Sequence, residues 1–132
     1  MTEIRLRACL AVVENSKILL VSHYNTDLGP ITWTVPGGAV EFGESVKDAA
    51  LREFQEETGY EAMIEGFLDL YEVLKPAQPY QSVTIAFRGH IVGGAAQPED
   101  TPWGLRSIRW FSLSELTDQP HHPPAIVTKA LQ

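Results

Sequence analysis

Residues 45–59 constrain the fold of this chain most strongly, because they have the features of one helix with both ends marked. Ser45 suits the N-cap position, and Asp48 follows three residues later, which is the spacing of a capping box. Gly59 stands where helices commonly end in a left-handed residue, a conformation that glycine adopts without steric penalty. The pattern therefore predicts a helix over residues 45–58.

The second half of this helix concentrates negative charge on one side. At about 100° per residue, Glu53, Glu56 and Glu57 fall within an arc of roughly 100°. Like charges at this spacing destabilise a helix by roughly a few tenths of a kcal/mol. A cluster of them therefore indicates a function that offsets this cost. Carboxylates grouped in this way suit a hard divalent cation such as Mg²⁺ or Mn²⁺, particularly when phosphates complete its coordination. A solvated acidic face is the alternative that these three residues alone leave open.

Strand patterns precede and follow the helix. Alternating or continuous apolar runs predict strands over residues 4–13, 17–23, 33–35, 63–74, 82–92 and 107–111. Loops are expected at 25–30 and 93–104, and shorter helices at 112–116 and, opened by a proline, at 124–131. Strands interleaved with helices predict a mixed α/β sandwich, formed by a single domain over residues 1–132.

Charge and composition exclude several other classes of protein. The formal net charge of −7 disfavours binding to nucleic acid or to an anionic membrane, because both need a basic surface. There is no run of about 18 apolar residues, and the first residues lack the layout of a signal peptide. The single cysteine, Cys9, lies in an apolar stretch and is predicted to be a small buried hydrophobe. These features fit a cytoplasmic enzyme.

The predicted helix and the Pro36-Gly37-Gly38 turn before it also carry a recognisable motif. Residues 38–60, GAVEFGESVKDAALREFQEETGY, follow the pattern G-x5-E-x7-R-E-U-x-E-E-x-G-U, where U is a bulky apolar residue, and so resemble the Nudix box. Its seven fixed positions are all filled, by Gly38, Glu44, Arg52, Glu53, Glu56, Glu57 and Gly59. Tyr60 stands where an aliphatic residue is usual. Residues 33–38 and 109–116 resemble the lead-in to the box and the strand-to-helix ending of the same family.

The resemblance implies a Nudix-type α/β/α sandwich with a mixed sheet and a bound divalent cation, Mg²⁺ or Mn²⁺. The implied metal ligands are the side chains of Glu53, Glu56 and Glu57 and the main-chain oxygen of Gly38. Glu44 is expected to act structurally near the start of the helix rather than as a ligand.

The implied reaction is attack of water on a phosphorus atom of a P–O–P bridge with the help of the metal. Catalysis is assigned to Glu53, Arg52 and Glu56, with Arg52 as the cation that orients the carboxylates and Glu53 as a candidate base. Some family members take the base from a glutamate in a later loop, which points instead to Glu99 or Asp100.

Substrate contacts are expected from Gly37, Gly38 and Trp33. The glycine backbone permits close approach to phosphates, and an aromatic ring can stack a nucleobase. Core packing is the commoner role for an aromatic side chain. It is therefore the alternative to base stacking for each of the candidates Trp33, Tyr24, Tyr71 and Phe87. The four histidines show no metal-ligand spacing with one another.

The family's usual substrates are small-molecule nucleoside diphosphate derivatives. Nucleoside triphosphates, ordinary or oxidised, are slightly favoured over ADP-ribose and dinucleoside polyphosphates because the chain is short, and specificity is expected to lie in residues 23–32, 75–82 and 93–105. A non-catalytic nucleotide-binding module of the same fold is an alternative, although such relatives typically lose box carboxylates. An isomerase of an isoprenoid diphosphate is a third. No nucleic-acid or membrane partner is expected, and a homodimer stays open.

Overall fold

The computed structural model describes residues 3–23, 31–102 and 104–132. Two α-helices are described, α1 (Val46–Thr58) and α2 (Pro124–Ala130), together with a 3₁₀ helix at Ser114–Leu116. The described strands are β1 (Ile4–Glu14), β2 (Lys17–His23), β3 (Thr32–Thr34), β4 (Gly37–Ala39), β5 (Tyr60–Lys75), β6 (Tyr80–Gly94), β7 (Asp100–Thr101), β8 (Gly104–Leu105), β9 (Ile108–Phe111) and β10 (His121–His122).

Most strands belong to one mixed sheet in the order β10-β3-β2-β1-β6-β5. The central strand β1 runs parallel to β6 and antiparallel to β2. It also pairs antiparallel with β4, whereas β9 pairs antiparallel with β2. Strands β5 and β6 form a long antiparallel hairpin, and β7 and β8 pair separately. Residues distant in sequence therefore meet along β1.

The two α-helices cover opposite faces of this sheet. Successive residues of β1 point to opposite faces, so Leu10 packs in the cluster that contains Phe54 of α1, and Ala11 packs in the cluster that contains Ile126 of α2. The first cluster also contains Ala49 and Ala50, and the second Val127 and Ala130. The predicted α/β/α sandwich with a mixed sheet is confirmed.

Helix α1 begins and ends as predicted. The Ser45 hydroxyl accepts a hydrogen bond from the Asp48 N–H at 3.1 Å. Gly59 is left-handed, with φ at 83°, and its N–H donates to the Gln55 carbonyl at 2.8 Å. Both helix ends are therefore determined by local chemistry.

The other elements differ from prediction where long-range pairing extends or creates a strand. Strand β5 starts at Tyr60, directly after the helix cap, because it pairs with β6 up to Gly94. The predicted loop over residues 93–104 contains β7, and His121-His122, for which no strand was predicted, forms β10 by pairing with β3. The predicted loop 25–30 lies outside the described residues.

Cys9 is buried at 4 % exposure in the core, as predicted, and burial raises the pKa of its thiol to about 12. No helix among the described residues is long and apolar enough to cross a membrane.

Replacing Phe54 by alanine should lower the free energy of unfolding by about 3–5 kcal/mol, because this ring is fully buried between α1 and the sheet. Urea denaturation followed by circular dichroism measures the change. Phe42→Ala is the matched control, because the Phe42 side chain is fully exposed, and it should change stability by less than about 0.5 kcal/mol. Equal losses in the two variants would contradict the packing described for α1.

Candidate active site

Two glycines allow the backbone before α1 to lie against its neighbours without intervening side chains. A Cβ on Gly37 would collide with the Ala8 carbonyl oxygen and lie 2.7 Å from the Cα of Cys9 on β1. A Cβ on Gly38 would lie 2.6 Å from a carboxylate oxygen of Glu53. Close approach of the β1 backbone therefore requires glycine at position 37, whereas a side chain at position 38 would displace the Glu53 carboxylate.

Glu57 is the most buried carboxylate among the described residues, at 4 % exposure. One of its oxygens accepts a 2.8 Å hydrogen bond from the Gly37 N–H. Burial raises the pKa of Glu57 to about 8, although Arg106 and the Gly37 hydrogen bond act in the opposite direction. The charged form of Glu57 is therefore poorly compensated by protein groups, and a bound cation would stabilise it.

Glu53 and Glu56 lie progressively further from the core. The Glu53 side chain is 19 % exposed, and burial raises its pKa against the opposing hydrogen bond from Arg52. The Glu56 side chain is 49 % exposed. The three carboxylates thus extend from the buried glycine turn to the solvent-facing rim of the site.

Arg52 links the segment before α1 to these carboxylates. Its Nε and Nη2 donate to the two oxygens of Glu44 at 2.8 and 3.1 Å, and Nη2 also donates to the Ala39 carbonyl at 3.0 Å. Its Nη1 donates to Glu53 at 2.9 Å and approaches both oxygens of Glu56 at 3.4 Å. The expected orienting contacts of Arg52 are present, and Glu44 contacts Arg52 rather than the glycine turn.

Arg106 is a second cation at the site, and sequence reasoning missed it. Its Nε donates to Glu99 at 2.8 Å, its Nη1 donates to the Ser22 carbonyl at 3.1 Å, and Nη1 lies 3.9 Å from a Glu57 oxygen. The main chain fixes this residue, because the Arg106 N–H donates to the Glu99 carbonyl and Ser107 is hydrogen-bonded to Ser22. No local spacing could have revealed it, since its position depends on pairing between distant segments.

A cleft of about 1200 Å³ opens beside the glycine turn. One end is lined by Gly37, Gly38, Glu53, Glu56, Glu57, Glu99 and Arg106. Further lining residues are Arg5, Arg7, Lys75, Tyr80, Thr32, Thr34, His121 and His122. The two loop acids named as alternative sources of the base lie apart: Glu99 lines the cleft, whereas Asp100 is exposed at the start of β7 and is not among the lining residues.

The aromatic residues proposed to stack a base lie in different surroundings. Trp33 is 9 % exposed and packs edge-to-face on Phe111 at 4.8 Å between ring centroids, while Thr32 and Thr34 on either side of it line the cleft. Phe87 is 4 % exposed in the cluster beneath α1. Tyr71 makes an edge-on contact with His122. Tyr24 lies outside the described residues. Trp33 packs in the core and is not among the residues that line the cleft, so its contact with substrate stays a prediction.

The donors at the acidic end fit a hard divalent cation by their chemistry. Carboxylates of different burial lie beside a bare glycine backbone in an open cleft, which is the oxygen-rich environment that Mg²⁺ and Mn²⁺ prefer. Within the described segments, however, no three His, Cys, Asp or Glu side chains are already gathered closely enough to hold a metal ion. Arg52 pairs with Glu53 and Glu56, so a metal ion at this end would compete with Arg52 for their oxygens.

Comparisons with known proteins agree with this geometry. The NUDIX domain family model matches residues 4–130. A Bacillus subtilis (strain 168) protein, whose name provisionally assigns it 8-oxo-dGTP diphosphatase activity, is 36 % identical over 103 residues, which are 78 % of this chain and 62 % of that protein. An ADP-ribose pyrophosphatase of Methanocaldococcus jannaschii is 29 % identical over 105 residues, which are 80 % of this chain and 60 % of that protein.

Among solved structures, a MutT NUDIX hydrolase from Burkholderia pseudomallei aligns with a TM-score of 0.78 and 25 % identity, covering 98 % of this chain and 96 % of that one. The chain therefore belongs to the NUDIX family, and its α/β fold is that of Nudix hydrolase structures. It spans a little over three fifths of the length of the Bacillus subtilis relative.

The elevated pKa of Glu57 predicts how stability depends on pH without metal. Unfolding returns the pKa of this carboxyl from about 8 to near 4.5, so the unfolded chain loses its proton first as the pH rises. In EDTA, Glu57 should lower the free energy of unfolding by up to about 1.4 kcal/mol per pH unit between pH 4.5 and pH 8.

Urea denaturation at several pH values, compared with Glu57→Gln, isolates this contribution, because glutamine keeps an acceptor for the Gly37 N–H and does not titrate. Glu72→Gln, at an exposed position on β5, is the matched control and should keep the wild-type pH dependence. The same slope in wild type and Glu57→Gln would show that Glu57 is not an elevated acid.

Proposed function

We propose that this protein is a divalent-metal-dependent hydrolase that cleaves the pyrophosphate linkage of a nucleoside diphosphate derivative. The observation that carries the proposal is the buried carboxylate of Glu57, held against the Gly37 backbone at the acidic end of a cleft, with Glu53 beside Gly38. Membership of the NUDIX family supports the same reaction class. Nudix hydrolases generally use divalent metals.

The cation, Mg²⁺ or Mn²⁺, would be held by the side chains of Glu53, Glu56 and Glu57 and the main-chain oxygen of Gly38. When bound, it lowers the pKa of water and neutralises charge on the phosphoryl oxygens. Arg52 keeps the carboxylates in one geometry through its bonds to Glu44 and the Ala39 carbonyl. Gly37 and Gly38 line the same cleft, and we propose that the substrate's phosphates contact them there.

Glu53 is the base that we favour for taking the proton of the attacking water. Burial raises its pKa, which makes its carboxylate a stronger proton acceptor than an exposed one. Glu99 is the second candidate because it lines the same cleft, but its 2.8 Å ion pair with Arg106 occupies one of its oxygens. Asp100 has the weakest support, since it is exposed outside the cleft lining.

A nucleoside triphosphate, ordinary or oxidised, is the substrate class that we place first. The cleft of about 1200 Å³ is large enough for a nucleotide, and the Bacillus subtilis relative carries the name of a diphosphatase of an oxidised triphosphate. ADP-ribose is the alternative, favoured by the name of the Methanocaldococcus jannaschii relative. Dinucleoside polyphosphates are compatible with the same cleft.

A non-catalytic nucleotide-binding module is the remaining alternative, and the presence of every box carboxylate weighs against it. We further propose that the chain acts as one domain in the cytoplasm on small molecules. Its net charge of −7 disfavours nucleic acid and anionic membranes as partners. A homodimer is compatible with this function but is not required by it.

Hydrolysis of a panel of nucleotides with Mg²⁺, Mn²⁺ or EDTA tests the reaction class, with phosphate and pyrophosphate release as the readout. Wild-type protein should turn over at least one nucleoside diphosphate derivative with metal and none in EDTA. Glu57→Gln should lower kcat/KM at least about 100-fold, because it removes a charged ligand, whereas Glu72→Gln should leave it unchanged. Full turnover by Glu57→Gln would overturn the assigned ligand set.

Substitution of Gly38 tests the close approach of the helix to the glycine turn. Gly38→Ala should weaken Mn²⁺ binding at least about tenfold, because the new Cβ must displace the Glu53 carboxylate. Gly66→Ala is the matched control, since a Cβ there has no heavy atom within 4 Å. Titration followed by electron paramagnetic resonance of free Mn²⁺ gives both affinities, and equal affinities would contradict the proposed arrangement.

A further inference from the structure

Three basic side chains line the cleft away from the acidic end, and the proposed reaction does not use them. They are Arg5 and Arg7 on β1 and Lys75 at the end of β5. Arg5, Arg7 and Cys9 share one face of β1 because successive side chains of a strand alternate. Since Cys9 pairs with Gly37, this face continues directly from the glycine turn. We call Arg5, Arg7 and Lys75 the basic end of the cleft.

Within residues 3–23, 31–102 and 104–132, none of these three side chains forms an ion pair with a carboxylate. Arg52 and Arg106, by contrast, both form ion pairs with glutamates at the acidic end. Desolvation, and after it the charges of Arg7 and Lys75, lower the pKa of His122, which lines the same cleft, so these two cations lie near the same part of it. The chain is acidic overall, yet none of its described carboxylates pairs with these three cations.

Arg5 is held by an aromatic ring rather than by an acid. Its guanidinium carbon lies 5.0 Å from the centroid of Tyr80, which also lines the cleft. Stacking uses the face of the guanidinium group and leaves the N–H groups at its edge free to donate. The N–H groups at the edge of a guanidinium group lie in one plane, at a spacing that matches the oxygens of a phosphate group.

The register of β1 sets the spacing between the two ends. Gly38 pairs with Ala8, and Arg5 lies three residues further along the strand, so the backbone positions are about 10 Å apart. Arg7 lies opposite Ala39, between these positions. A group bound by Arg5, Arg7 and Lys75 would therefore be separate from the phosphorus atom attacked beside Gly38.

We propose that the basic end is a second phosphate subsite, which binds a phosphate group that the substrate carries beyond the cleaved pyrophosphate linkage. Its place in catalysis rests on the proposed hydrolase function, whereas its affinity for phosphate does not. Two sources supply the same chemistry: the far end of a longer polyphosphate chain, or a phosphate monoester on the sugar.

The test measures binding of two probes to the full chain in EDTA by isothermal titration calorimetry at low ionic strength, where exposed charges are screened least. Inorganic tripolyphosphate stands for the far end of a longer polyphosphate. Adenosine 3′,5′-bisphosphate stands for a phosphate monoester on the sugar, and adenosine is the uncharged reference. Wild-type protein should bind at least one phosphate probe ten times more tightly than adenosine. The probe that binds more tightly identifies the source.

Arg7→Gln and Lys75→Gln should each weaken that binding about tenfold, which is the effect expected from losing one charge-assisted hydrogen bond. Arg7→Lys should recover most of the affinity because it restores the charge. Arg109→Gln and Lys17→Gln are matched controls: Arg109 also stacks on an aromatic ring, Phe111, and both residues pair with Glu115 outside the cleft lining. These controls should bind the probe like wild type.

Absence of phosphate binding by wild type, or unchanged affinity in both Arg7→Gln and Lys75→Gln, would overturn the subsite. Because these titrations need neither metal nor turnover, their result is independent of the hydrolase proposal. Binding that depends on Arg7, combined with no hydrolysis of any nucleotide, would retain the subsite and reject the hydrolase function. Hydrolysis of a nucleotide without Arg7-dependent phosphate binding would retain the hydrolase function and reject the subsite.

Discussion

The hydrogen bond from the Gly37 N–H to the buried carboxylate of Glu57 is the contact on which the site depends. It joins the last turn of α1 to the first residue of β4, and it forms only because Gly37 carries no side chain between β4 and β1. Burial of an acid is unfavourable in its charged form, which is why the pKa of Glu57 rises to about 8. The fold therefore maintains a carboxylate that a cation would stabilise.

The rest of the cleft is arranged around that local excess of negative charge. Arg52 and Arg106 each pair with glutamates beside Glu57, so the acidic end is held together by cations of the protein itself. No preassembled ligand cage is present among the described residues, and a divalent ion would compete with Arg52 for the oxygens of Glu53. The basic end, in contrast, faces the cleft with its charge uncompensated by described carboxylates.

Features determined by local chemistry could be predicted from the sequence, and features determined by strand pairing could not. The caps of α1 and the grouping of Glu53, Glu56 and Glu57 follow from spacings of three and four residues, and a mixed α/β sandwich follows from strands interleaved with helices. The α/β/α layering was implied by the resemblance to the Nudix box. Arg106 reaches the site through contacts with Glu99 and Ser22, which no local pattern encodes. The sequence left open whether Trp33 contacts substrate or packs in the core, because a strand of three residues does not reveal which of its faces meets the cleft.

The most direct test of this account is the number of protons released when Mn²⁺ binds, measured by calorimetry in buffers of different ionisation enthalpy. At pH 7 the account predicts release of close to one proton per site, because Glu57 with a pKa of about 8 must lose its proton to become a ligand. Release should fall towards zero at pH 9 and be absent in Glu57→Gln. Mn²⁺ binding at pH 7 without proton release, or no Mn²⁺ binding at any pH, would contradict the account.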